Sequence, residues 1–88
     1  MIKKVRKRDG RIVDFDFDKI IEAVKKAFES QNENYHEQLA KMIYGNFELF
    51  DDEKIISIEA IQDEVENILM DCGYNKVAKA YILYREQR

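Results

Sequence analysis

Apolar residues recur at two different spacings along the 88-residue chain, and the change of spacing divides it into two parts. Over residues 2–15, two short β-prone runs flank Asp9-Gly10, a dipeptide typical of the turn in a hairpin. From residue 17 onward, apolar residues recur every three or four positions, as they do on one face of an α-helix. The pattern therefore predicts an N-terminal β-hairpin followed by helices.

The apolar residues also favour one register for the hairpin. A three-residue loop over residues 8–10, with Gly10 in the left-handed conformation that glycine tolerates, places Val5 opposite Val13. Lys7 then shares a face with the two valines, because alternate residues of a strand point to the same side. A two-residue loop would lose this match. Since an isolated hairpin is marginally stable, we expect helices to pack on it.

The first two predicted helices are separated by a polar break. The first begins near Asp16 or Asp18, because either carboxylate can cap free N–H groups. The second runs from about residue 35 to residue 50. Residues 51–56 are predicted to be a connection.

Two further helices complete the prediction. Ser57 is expected to cap the third helix, which ends at Gly73, and Asn75 to cap the fourth. The fourth is apolar nearly all round over residues 77–84, which indicates a central, buried position. The predicted fold class is therefore α+β and mostly α, with the N-terminal β-hairpin packed on a bundle of about four α-helices. We expect residues 1–88 to form a single domain.

Charge is distributed unevenly along the chain. The net charge is −3, yet residues 1–11 contain six cations and one carboxylate, which leaves −8 on the remainder. A uniformly basic domain would indicate nucleic acid. A basic hairpin on an acidic body favours a compact anionic ligand, although lysines that keep an edge strand soluble would produce the same pattern.

The sequence predicts neither a membrane span nor a disulfide. No run approaches the roughly 18 apolar residues of a spanning helix, and the N-terminus lacks the apolar segment of a signal peptide. Cys72 is the single cysteine and is expected to be a small core residue. We therefore expect a cytoplasmic protein.

Catalytic and metal-binding patterns are missing from the sequence. His36 is the single histidine and lies at a polar helix start, where a surface role is the common one. Asp14, Asp16 and Asp18 alternate as in calcium loops, but the glycine and distal glutamate of such loops are absent. The Walker and dinucleotide-binding glycine motifs are also absent. The chain is therefore predicted not to be an enzyme and to have no metal site of its own.

A phosphate site would then have to be built from side chains. Lys7 projects from the inner face of the hairpin, and Lys19 lies one turn into the first helix. Two ammonium groups near a helix N-terminus can neutralise much of a triphosphate. A solvated Lys19 is equally compatible with the spacing.

Four segments together resemble the ATP-cone domain. They are residues 5–16 (VRKRDGRIVDFD), 18–20 (DKI) with Ala23, 61–66 (IQDEVE) and 77–85 (VAKAYILYR). The likeness covers nearly the whole chain, in order and at the family's spacings. It is greatest with the cones at the N-terminus of anaerobic (class III) ribonucleoside-triphosphate reductases.

The resemblance implies an allosteric regulatory domain that binds ATP or dATP, with Mg²⁺ held through the phosphates. Such cones bias the activity and oligomeric state of ribonucleotide reductase. The implied partners are the nucleoside triphosphate and either a reductase catalytic domain or another cone. A membrane partner is not expected, and nucleic acid is a weaker alternative. A small nucleic-acid-binding or protein–protein interaction module that uses the basic hairpin therefore stays open.

The resemblance also implies a set of nucleotide-binding residues. Phosphate contacts would come from Lys7, Arg8 and Lys19, with a further cation from Arg88. The base and sugar would be bordered by Val5, Val13, Asp16 and Ile20. The pocket would be closed by Ile58 and Gln62. Val13 stands where some members have glutamate, and Gln62 where some have histidine, so base selection does not follow from the resemblance.

Overall fold

The computed structural model describes residues 1–86, with the side chains of residues 1–84. A small sheet and four helices follow one another along the chain. The elements are β1 (Lys4–Arg6), β2 (Ile12–Asp14), α1 (Phe17–Ser30), α2 (Glu37–Glu48), β3 (Ile55–Ser57), α3 (Ile58–Asp71) and α4 (Asn75–Glu86). The predicted α+β fold, mostly helical with an N-terminal hairpin, is confirmed.

The hairpin has the predicted register. β1 and β2 are antiparallel, with Val5 opposite Val13. Two backbone hydrogen bonds close the loop. The Lys7 N–H donates to the Arg11 carbonyl at 2.8 Å, and the Gly10 N–H donates to the Lys7 carbonyl at 2.9 Å. Gly10 has φ +89°, a conformation that side chains with a Cβ rarely adopt. This backbone holds the basic loop at one end of the sheet.

A third strand corrects the prediction that residues 51–56 are only a connection. β3 runs parallel to β1, with Ile56 opposite Val5, and gives the strand order β2-β1-β3. Three residues are too short to show an alternating pattern, and the partner strand lies about 50 residues away in sequence. Because β3 leads directly into α3, it also brings the first turn of α3 beside the hairpin.

The caps of α1 and α3 follow the predicted chemistry. Asp16 caps α1, accepting a hydrogen bond from the Asp18 N–H at 3.1 Å. Ser57 caps α3, accepting from the Ala60 N–H at 3.2 Å. These caps start α1 shortly after β2 and α3 directly after β3, so both helices begin close to the sheet.

The ends of the other two helices differ slightly from the prediction. α2 is shorter than predicted at both ends, and the side chain of His36, its N-cap residue, makes no capping hydrogen bond. Asn75 is the first residue of α4 rather than its cap. Helix ends are decided by hydrogen bonds that spacing alone does not reveal.

The hydrophobic core lies where α4 packs against both α1 and α3. Its largest fully buried side chains are Tyr81, Phe28, Phe47, Ile43, Ile61, Leu69, Val24, Val65 and Val77. Leu83 is 54% exposed, so one side of α4 faces solvent. Within residues 1–86, no helix combines the length and apolar character that a membrane span requires.

The position of Cys72 corrects the predicted core. Cys72 was expected inside and is exposed, and Met42 of α2 is 48% exposed. The Cys72 Sγ lies 3.5 Å from the Met42 Sδ, so the two side chains meet at the protein surface. Cys72 follows the last residue of α3, where the helix no longer directs it into the core.

Candidate functional site

A cavity of about 530 Å³ lies between the hairpin loop, one face of α1, the start of α3 and the C-terminal half of α4. This volume falls within the roughly 300–1,000 Å³ of small-molecule sites. The lining residues are Lys7, Arg8, Asp9, Arg11, Lys19, Ile20, Glu22, Ala23, Lys26, Ile58, Gln62, Tyr81 and Tyr84.

The cavity is electropositive although the chain as a whole is acidic. Among the described side chains, five cations and two carboxylates line it, which gives a formal charge of +3. Among the residues that the structure describes, neither Lys7 nor Lys19 has a carboxylate within 4.0 Å. Their ammonium groups are therefore available to an anion, next to the N-terminal turn of α1, whose dipole adds to the attraction.

Arg11 is held inside the hairpin loop by Asp9. The Asp9 carboxylate accepts from the Arg11 backbone N–H at 3.0 Å and from the Arg11 Nε at 2.7 Å. The backbone hydrogen bond is the main reason why the pKa of Asp9 lies below its ordinary value. Asp9 therefore stays ionised near neutral pH and organises the loop.

Arg8 connects the loop to α3. Its Nε lies 3.4 Å from the Glu59 Oε1, and each side chain is about half exposed. Glu59 belongs to the first turn of α3, where the helix dipole favours a carboxylate. This ion pair therefore joins the hairpin loop, which contributes to the cavity lining, to the first turn of α3.

The apolar end of the cavity contains one buried polar atom. Ile20, Ala23, Ile58 and Tyr81 contribute apolar surface there, and Gln62 contributes an amide. The Gln62 Oε1 is buried and has no hydrogen-bond partner within the described part of the chain. Leaving such an acceptor unpaired costs about 1–3 kcal/mol. A ligand group with an N–H donor that reached this oxygen would remove that cost.

Lys26 and Tyr84 close the side of the cavity between α1 and α4. The Lys26 Nζ donates to the Tyr84 hydroxyl at 3.2 Å and lies 5.5 Å from the centre of its ring. This cation is therefore held in place by an aromatic side chain, and no carboxylate of residues 1–84 lies within 4.0 Å of it.

The structure brings together six of the ten residues predicted for the site. These are Lys7, Arg8, Lys19, Ile20, Ile58 and Gln62. Three others lie outside the cavity lining: Val5 is buried in the core, Val13 pairs with it across the hairpin, and Asp16 caps α1. Arg88 lies outside the described residues.

Seven lining residues were not in the predicted set: Asp9, Arg11, Glu22, Ala23, Lys26, Tyr81 and Tyr84. Helical spacing would have found part of α1, because Glu22, Ala23 and Lys26 share a face with Lys19. Tyr81 and Tyr84 belong to the segment 77–84, which was predicted to be buried. Tyr81 is indeed buried, but it also forms part of the cavity wall.

The aspartates that alternate before α1 have other partners. Asp14 pairs with Lys4, and the side-chain hydrogen bond between them is the main reason why the pKa of Asp14 lies below its ordinary value. Within the described residues, no group of three or more His, Cys, Asp or Glu side chains could hold a metal ion.

Comparison with known proteins gives one consistent family. The family model described as ATP cone domain matches residues 3–88. The chain is 42% identical, over its full length, to a vitamin B12-dependent ribonucleoside-diphosphate reductase of Thermoplasma acidophilum. It is 40% identical, over 96% of its length, to an anaerobic ribonucleoside-triphosphate reductase of Haemophilus influenzae. The Escherichia coli protein of that name is 36% identical over the full chain.

These relatives are much longer than the chain, which spans 12% of each. An ATP cone is a regulatory domain rather than a catalytic one, and cones bind ATP or dATP. The family match covers almost every residue and agrees with the fold and with a basic cavity. The chain therefore belongs to the ATP-cone family, the allosteric nucleotide-binding regulatory module of ribonucleotide reductases.

Proposed function

We propose that the cavity described above is the ATP- or dATP-binding site of this cone. The observation that carries the proposal is the position of Lys7 and Lys19. Both line an electropositive cavity, and neither is paired with a carboxylate of the described residues. Two unpaired ammonium groups beside a helix N-terminus are well suited to a polyphosphate.

The remaining lining residues divide the proposed site into two ends. Lys7, Arg8 and Lys19 would hold the phosphates. Ile20 and Ile58 would contact the base and sugar, and the buried Gln62 Oε1 would accept from an amino group of the base. The exocyclic amine of adenine is such a donor, whereas guanine has a carbonyl oxygen at that position. The arrangement therefore favours adenine nucleotides.

The other predicted residues take different parts in this proposal. Val5, Val13 and Asp16 would support the site from behind, through the sheet and the start of α1. Contact of Arg88 with the nucleotide stays a prediction. Mg²⁺ would enter with the nucleotide and be held through phosphate oxygens, with no ligand set of protein carboxylates.

The proposed regulation concerns a ribonucleotide reductase, in which a catalytic domain or a second cone would be the partner. ATP and dATP differ by one ribose hydroxyl. They can switch activity or oligomeric state only if they favour different arrangements of the cone or its contacts. Residues 1–88 would act as one domain in this role, and its cytoplasmic location stays a prediction.

Isothermal titration calorimetry with ATP, dATP and GTP in the presence of Mg²⁺ tests the site. A double variant, Lys7→Ala/Lys19→Ala, should lower ATP affinity by at least about 100-fold, because each charge-assisted contact contributes roughly 1.5–3 kcal/mol. Lys41→Ala/Lys54→Ala changes the net charge equally but lies outside the cavity, so it should bind ATP like the unaltered protein.

Two results would contradict the proposal: no heat with ATP or dATP, or equal losses in the two double variants. An affinity for single-stranded oligonucleotides that exceeds that for ATP and falls steeply with salt would instead favour a nucleic-acid-binding module.

A further inference from the structure

The three cations of the hairpin loop that line the cavity are engaged in different ways. Lys7 has no carboxylate partner within the described residues, and Arg11 is paired with Asp9 inside the loop. Arg8 is paired with Glu59, which belongs to α3. Only in the case of Arg8 does the ion pair join the loop to a helix. A ligand that takes Arg8 would therefore also break a contact between two elements.

We propose that Glu59 competes with the ligand's phosphates for Arg8, so that filling the cavity releases the hairpin loop from the first turn of α3. This inference rests on the proposed function, because it requires a phosphate ligand in the cavity. It adds Glu59, which does not line the cavity, as a residue that sets nucleotide affinity.

The geometry makes the exchange feasible. The Arg8 Nε and the Glu59 Oε1 are 3.4 Å apart, and the side chains are 52% and 49% exposed. An exposed ion pair of this kind is weak, and here a single contact from the Arg8 Nε carries it. A polyphosphate has more negative charge than one carboxylate and can accept two parallel hydrogen bonds from the guanidinium, so it is the stronger partner. Glu59 loses little when Arg8 leaves, since its carboxylate remains at the N-terminus of α3.

The structural consequence follows from the position of Glu59 in the chain. Glu59 lies two residues after Ser57, where β3 ends and α3 begins. β3 pairs with β1, the strand that leads into the loop. The sheet therefore holds the base of the loop next to α3 in both states, and the ion pair decides whether the tip is also attached. This would give the cone two arrangements that differ by one exchangeable contact.

A double-mutant cycle tests the proposal. ATP affinity is measured by calorimetry, with Mg²⁺, for the unaltered protein, Glu59→Gln, Arg8→Ala and the double variant. Removing the competitor should tighten ATP binding about two- to fivefold in the presence of Arg8, as expected for an exposed pair. In the Arg8→Ala background, Glu59→Gln should change the affinity by much less.

Glu22→Gln is the matched control. Glu22 lines the cavity, and no cation of the described residues lies within 4.0 Å of its carboxylate. Removing the negative charge of Glu22 should raise ATP affinity by the same factor in the protein with Arg8 and in the Arg8→Ala variant. Tripolyphosphate as a second probe should show the same dependence on Glu59, because the competition concerns phosphate alone.

A direct readout is the Nε–Hε signal of Arg8 in ¹⁵N-resolved NMR spectra. This signal should shift when Glu59 is replaced by glutamine. On addition of ATP, the signals of the unaltered protein and of Glu59→Gln should move to the same chemical shift. The proposal is overturned if Glu59→Gln leaves ATP affinity unchanged or weaker, or if its effect persists in full without Arg8. Failure of the unaltered protein to bind ATP would instead refute the proposed function on which this inference depends.

Discussion

Replacement of Gln62 by methionine should stabilise the protein while weakening its ligand binding. The Gln62 Oε1 is buried without a hydrogen-bond partner in the described part of the chain, which costs about 1–3 kcal/mol. Methionine has a similar length and a similar helix propensity but no buried acceptor. Gln62→Met should therefore raise the free energy of unfolding by about 1 kcal/mol or more.

Thermal unfolding measures this gain. For a domain of 60–100 residues, 1 kcal/mol shifts Tm by about 4–8 °C, so Gln62→Met should unfold at least about 4 °C above the unaltered protein. Gln38→Met is the control, because Gln38 is exposed on α2 and a surface substitution stays within about 0.5 kcal/mol.

The ATP affinity of Gln62→Met should fall, although its Tm should rise. Losing one neutral hydrogen bond to the base costs about 0.5–1.5 kcal/mol, so ATP affinity should fall roughly two- to twelvefold. The preference for ATP over GTP should fall with it. A Gln62→Met protein with unchanged or lowered Tm would refute the reasoning that the amide is unsatisfied. Unchanged ATP affinity would show that the amide does not contact the base.

Two further predictions concern the hairpin and α3. Ser57→Ala removes the cap of α3 and should lower the free energy of unfolding by about 1 kcal/mol. Ser57→Thr keeps a capping hydroxyl and should lose little stability. Equal Tm values for Ser57→Ala, Ser57→Thr and the unaltered protein would contradict this prediction. Lys4 holds the pKa of the Asp14 carboxyl below its ordinary value of 3.8. The pair of Lys4 with ionised Asp14 therefore stabilises the folded protein fully above pH 3.8, and this stabilisation is lost as the pH falls through the lowered pKa. Asp14→Asn should therefore show a flatter dependence of Tm on pH below about 4, and an unchanged slope would contradict the assignment.

The features that follow from local chemistry were predictable from the residues. Gly10 permits the left-handed turn, and the match of Val5 with Val13 selects the hairpin register. Asp16 and Ser57 satisfy N–H groups two and three residues away. Each of these choices involves groups close in sequence, or two strands joined by a short loop, and so spacing and residue type suffice.

The lining of the cavity was only partly predictable. Lys7 and Lys19 come from a hairpin and a helix that are adjacent in sequence, and both line the cavity. Val13 belongs to the same hairpin, but it packs against the hydrophobic core and does not line the cavity. A motif shows which residues occur together, but it does not show which side chains face the ligand.

The contacts between distant segments depend on the assembled fold. β3 exists because Ile55–Ser57 meets β1, and the pairing of Arg8 with Glu59 exists because β3 carries the start of α3 to the hairpin loop. Likewise, the burial of the Gln62 amide is the result of packing around α3. Hydrophobic periodicity and capping preference depend on residues that are close in sequence, so the sequence is enough to predict them. The pairing of charges and the satisfaction of buried polar atoms act between elements, and they are settled when the elements pack together.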